Sequence, residues 1–208
     1  PAAVPEPDPA ADPGTAGPIV VPEETSEPVA TTPEPVTEEV PGTVEEPTSS
    51  VNEVIIQFLD VDGQAGVNAQ EMASGIGRFL RALRTQRDDM ADFDGSGTVD
   101  GSDYAQLVNN ATTLGHDPLL KALQYIDTYA NLQIDRVQAT QALLGFANAV
   151  KSSDNRANFD GNDTVDAQDF AYLGLLLQGL EYRGVLLAFL YADTSRDLIL
   201  DAAEIQSA

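Results

Sequence analysis

Residues 91 to 104 read ADFDGSGTVDGSDY, with acidic or hydroxyl side chains on alternate positions and glycines between them. Numbered from Asp92, the oxygen-bearing residues Asp92, Asp94, Ser96, Asp100 and Asp103 take places one, three, five, nine and twelve. Gly97 falls at six and Val99 at eight. A hard cation such as Ca²⁺ takes six to eight oxygens at about 2.3–2.6 Å, so a loop that wraps it presents oxygens from several directions. Place six must turn sharply with φ > 0, which favours glycine, and place seven offers its backbone carbonyl. Place eight packs inward, and place twelve returns a carboxylate from the start of the exit helix. The expected ligands are therefore Asp92, Asp94, Ser96, the Thr98 carbonyl, Asp100 and Asp103, and this is the most complete set in the chain.

Four further stretches carry related patterns. In 60–71 the ligands would be Asp60, Asp62, Gln64, the Gly66 carbonyl, Asn68 and a bidentate Glu71, with Ala65 in the glycine place at a cost of about 1 kcal/mol. In 158–169 they would be Asn158, Asp160, Asn162, the Thr164 carbonyl, Asp166 and Asp169, with Asp163 at the turn. In 193–204 they would be Asp193, Ser195, Asp197, the Ile199 carbonyl, Asp201 and Glu204, although Leu198 at place six departs from the pattern. The loop at 127–138 offers Asp127, Tyr129, Asn131, Asp135 and Gln138, with Leu132 at the turn and no closing acid, and reads as a degenerate loop kept as a partner.

The elements that must position these loops repeat as well. Loop starts at 60, 92, 127, 158 and 193 define a two-loop unit of about 66 residues, present twice and a half. The intervening segments read as helices: Met72, Ile76, Phe79, Leu80 and Leu83 share one face, while Arg78, Arg81, Arg84 and Arg87 form an outward, solvated face. Asp117 is expected to cap a helix whose first position is Pro118, with His116 in the turn before it. Place-eight residues of neighbouring loops would pair as minimal two-residue β-bridges, Val67 with Val99 and Ile134 with Val165. The fifth loop has no partner in the chain. Cover for it within a monomer is preferred to a dimer, because RGVLLAFLYA is apolar enough to pack on the second pair.

Residues 1–50 carry twelve of the 13 prolines and no aromatic, Lys or Arg, the composition of a disordered acidic Pro/Glu/Thr-rich linker. Residues 51–208 would then form one all-α domain: a pair at 51–115, a pair at 116–182 and an odd loop at 183–208. With 34 acidic residues against 10 basic, the formal net charge is -24. Such a chain repels nucleic acid and anionic membrane. The absence of cysteine and the single histidine exclude thiolate chemistry, disulfides and Cys/His zinc sites, leaving the oxygen-preferring metals. No apolar run approaches a membrane span.

The loop register, repeated five times, resembles that of EF-hands. The loops at 92 and 158, closed by Asp at place twelve, look more like the dockerin variety of secreted bacterial proteins. The resemblance implies tandem helix-loop-helix pairs, about two to four Ca²⁺ ions, and an exported or surface-tethered module in which metal stabilises the fold. The alternative that it implies is an adhesion domain binding a cohesin-like receptor through SDYAQLVNN and QDFAYLGLL. An intracellular sensor would need a methionine-rich groove, and only Met72 and Met90 exist. No nucleophile with an adjacent base is apparent, so the chain is expected not to be an enzyme.

Overall fold

Five helix starts are built from the same device, a capping box, the first of them Ser50 with Glu53. Asn68 with Glu71, Asp100 with Asp103, Asp135 with Gln138 and Asp166 with Asp169 each bond reciprocally across the first turn, satisfying two backbone N–H groups that a helix leaves without partners. The computed structural model describes residues 50–207, and all of its helices belong to a single unit, Glu45–Ala208. In order they are α1 (Val51–Leu59), α2 (Ala69–Thr85), α3 (Gly101–Thr113), α4 (Asp117–Ile126), α5 (Arg136–Ser152), α6 (Ala167–Gly179), α7 (Arg183–Ala192) and the short α8 (Ala202–Ser207). Single 3-10 turns at Asp89–Ala91 and Asn155–Ala157 lead into the loops at 92 and 158. The described part of the chain is thus all-α. The linker expected over 1–50 lies outside the described residues, apart from Ser50, which caps α1.

The duplication is visible in the core. In the first pair Phe93 sits edge-on to Phe58 at 5.3 Å and stacks on Phe79 at 5.8 Å, and Tyr104 lies 6.1 Å from Phe79. In the second pair Phe159, Tyr125, Phe146 and Phe170 repeat these places at 5.5–6.3 Å. Burying an aromatic of this size stabilises by about 1.5–3 kcal/mol, so each four-ring cluster is a principal contributor to its own pair. The face of α2 expected to be apolar is buried at Met72, Ile76, Phe79 and Leu80, and Leu83 packs against it.

The two pairs meet where α2 crosses α6. A Cβ on Gly77 would fall inside the van der Waals envelope of the Gly179 carbonyl, and one on Gly179 would meet the Ala73 carbonyl. Only hydrogen at both positions lets the backbones approach this closely.

Several expectations are corrected. No strand or bridge forms among the described residues, because the place-eight peptides have other partners. The Val67 carbonyl accepts from His116 Nε2 at 2.8 Å, and the Ile134 carbonyl accepts from the Tyr182 hydroxyl at 2.7 Å. The Gln86 side chain bonds both the N–H and the C=O of Val99, at 3.0 and 2.7 Å. Helix α4 begins one residue early, with His116 as its cap and Asp117 accepting from the Thr112 hydroxyl instead. The arginine face is not uniformly solvated: Arg78 lies 4.3 Å over the Phe58 ring and bonds Asp88, while Arg81 pairs with Glu181. One expectation is met rather than corrected: RGVLLAFLYA packs on the second pair, with Leu186 and Phe189 buried and Phe189 in contact with Phe170, while Leu198 and Leu200 of the fifth loop pack against the core.

Candidate metal centres

Each loop is drawn around its first and last side chains. The place-one carboxylate or amide accepts backbone N–H bonds from within the turn. Asp92 takes them from Ser96 and Gly97 at 3.0 and 2.7 Å, Asp127 from Asn131 and Leu132, and Asp193 from Asp197 and Leu198. Asp60 and Asn158 accept from Gly63 and Gly161. The place-twelve carboxylate closes the other side. Asp103 accepts from the N–H groups of Phe93, Asp94 and Asp100, and Asp169 accepts from those of Phe159, Asp160 and Asp166. Both are fully buried. Glu71 and Glu204 do the same for their loops.

These bonds to the charged form set the acidity of the loops. The Asn68 N–H, followed by those of Asp62 and Val61, holds Glu71 below the usual carboxylate range. The Ser195 N–H, followed by that of Asp201, lowers Glu204 to about 2. Asp94 is lowered chiefly by the Ser96 N–H, and Asp166 by the Gln168 N–H. The loops therefore hold anionic oxygens at neutral pH. In 127–138 the closing residue is the amide Gln138. Its oxygen accepts from the Asp135 N–H, but its buried Nε2 meets no hydrogen-bond partner among the described residues.

The backbone makes the same curve in four of the five loops, with positive φ at places four and six. Gly95 and Gly97 (70° and 88°), Ala130 and Leu132 (50° and 58°), Gly161 and Asp163 (78° and 68°), and Arg196 and Leu198 (60° and 63°) all follow it. Leu198 thus keeps the curvature that its side chain put in question, against an intrinsic left-handed cost of roughly 1–2 kcal/mol. The loop at 60 solves the problem differently. Its second positive φ lies at Gly66 (92°), one place later, so Ala65 does not bear the strain expected of it. The place-four turn was missed in the sequence; the glycine in DVDG, DFDG and FDGN was its signal.

The consequence for chemistry differs between loops. Carboxylate oxygens of Asp60, Asp62 and Glu71 lie within 4.8 Å of one another, and so do those of Asp92, Asp94 and Asp103. These two triads could hold a metal ion, and their all-oxygen donors suit a hard cation. Among the described residues no third group of acids converges in this way. In the 158 loop Asn158 replaces an acid, and the Asn162 amide lies 3.0 Å from Asp160 and 3.4 Å from Asp166. In the 193 loop Glu204 accepts from Ser195 and Asp201 while Asp193 is buried under Leu198 N–H. No family model, curated protein or solved structure matches the chain.

Proposed function

We propose that residues 51–208 form a non-enzymatic Ca²⁺-binding module of EF-hand type, carried outside the cytoplasm by an exported or surface-tethered protein, with the metal stabilising the fold. The observation that carries this reading is the convergence of Asp92, Asp94 and Asp103, with Asp60, Asp62 and Glu71 as a second site of the same construction. Ser96, the Thr98 carbonyl and Asp100 would complete the first set, and Gln64, the Gly66 carbonyl and Asn68 the second. The ion would supply charge neutralisation: each loop gathers carboxylates whose mutual repulsion opposes the closed form. The 158 and 193 loops are the third and fourth candidates. Asp at place twelve reaches less far than Glu, and this fits the affinities of extracellular modules, about 10⁻⁴ to 10⁻³ M.

Within SDYAQLVNN and QDFAYLGLL, the stretches through which a cohesin-like receptor would be bound, the Tyr104 and Phe170 rings pack inward on Phe79 and Phe146. Circular dichroism and melting in EGTA against millimolar Ca²⁺ test the proposal. The expected result is a gain of helix and melting temperature with Ca²⁺, and superimposable curves would refute it.

A further inference from the structure

The two pairs differ at one place in a way that opens a second kind of site. Helices α2 and α5 are both 17 residues long, starting at 69 and 136, so Arg78 and Gly145 occupy equivalent positions. In the first pair Arg78 fills the groove between the helices. Its guanidinium lies 4.3 Å from the Phe58 ring centroid and donates to both Asp88 oxygens, at 2.6 and 3.2 Å. In the second pair Tyr125 stands for Phe58 and Asp154 for Asp88, but Gly145 supplies no side chain. A cleft of about 720 Å³ lies there instead, lined by Tyr125, Gly145, Asp154, Arg156 and Lys121. That volume is within the roughly 300–1,000 Å³ of small-ligand sites.

We infer that this cleft binds a guanidinium group, presented as an arginine side chain by a basic peptide segment of a partner, in the place that Arg78 takes in the first pair. The aromatic wall and the carboxylate that hold Arg78 are both present, and an Arg over an aromatic ring with a bidentate carboxylate is a favourable arrangement. Asp154 is bonded by Arg156, which approaches from the rim and stands where the first pair has Met90. That pair is easily exchanged, because the Arg156 side chain is 84% exposed and exposed ion pairs are worth little. Lys121, in the place of Val54, adds a like charge at the edge and limits the affinity. Among the described residues Asp154 is the one acid in the lining, against Lys121 and Arg156, so recognition rests on the Tyr125 ring and this carboxylate.

The test is an NMR titration of the ¹⁵N-labelled full chain in Ca²⁺ with N-acetyl-arginine amide, its uncharged citrulline counterpart, and N-acetyl-glutamate. Saturable shifts at Gly145, Asn155 and Arg156 are expected with the arginine probe alone. Arg156→Met should tighten the binding several-fold, and Asp154→Asn should abolish it. A Cβ at Gly145 would sit 2.8 Å from the Tyr125 hydroxyl, so the blocking variant is the double change Tyr125→Phe with Gly145→Arg, which recreates the first pair and should remove the response. Equal shifts with citrulline, a response to the glutamate probe instead, shifts confined to the acidic loops, or binding that survives the double change would each overturn the inference.

Discussion

Nε2 of His116 lies 2.8 Å from the carbonyl oxygen of Val67, 49 residues earlier. A carbonyl can only accept, so Nε2 carries the proton. The Tyr182 hydroxyl repeats the contact on Ile134, 48 residues earlier. In each pair, the residue that begins the next helix reaches back to satisfy the place-eight peptide of an odd-numbered loop, the peptide that was expected to enter a bridge. Tyr182→Phe removes one such bond and leaves a partly buried carbonyl without its donor. It should lower stability by about 1 kcal/mol in denaturant unfolding. An unchanged midpoint would mean that water replaces the hydroxyl at no cost.

The crossing of α2 and α6 is more demanding. Gly77→Ala and Gly179→Ala each force a methyl into the opposing backbone, and overpacking of this kind costs about 1–3 kcal/mol or more. Gly184→Ala, in α7 with nothing within 4 Å of the new methyl, should instead be neutral or stabilise by up to about 1 kcal/mol through helix propensity. Thermal melts of the three variants distinguish steric conflict from a general effect of losing glycine.

Loop register and helix faces were legible because both repeat at short range: alternate oxygens around Asp92, and Met72, Ile76, Phe79 and Leu80 at helical spacing. The apolar strength of RGVLLAFLYA also foretold that Phe189 would pack on the second pair. What escaped were contacts between distant positions. Nothing near Gly77 announces Gly179, and nothing near Val67 announces His116. The displaced turn at Gly66 was missed for a local reason: two glycines, Gly63 and Gly66, bracket Ala65, and the chain bends at the residues for which bending costs least.

In the metal-free protein, acid should act through the closing glutamates. The folded pKa of Glu71 and Glu204 lies below the ordinary 4.5, reaching about 2 for Glu204, so the folded state binds fewer protons than the unfolded one in that interval. Their stabilisation is complete above about pH 4.5 and is lost as the pH falls toward about 2. Glu204→Gln should flatten this part of the acid-unfolding curve measured by circular dichroism in EDTA. A curve of unchanged steepness would place the acid sensitivity elsewhere.

Loop acids should separate into two classes. Asp92→Ala removes a charged member of a converging triad and should cost one bound ion. Asp127→Ala should leave the ion count unchanged while lowering stability by about 1–3 kcal/mol, because the buried Asp127 carboxylate holds the N–H groups of Asn131 and Leu132 in a loop without a closing acid. Equal ion losses in the two variants would contradict this division.

Calorimetric titration of the full chain with Ca²⁺, counting sites, tests the central claim most directly. At least two ions and at most four are expected, with the tightest site lost in Asp103→Ala and a second lost in Glu71→Gln. No heat of binding up to millimolar Ca²⁺, or an unchanged count in both variants, would contradict it.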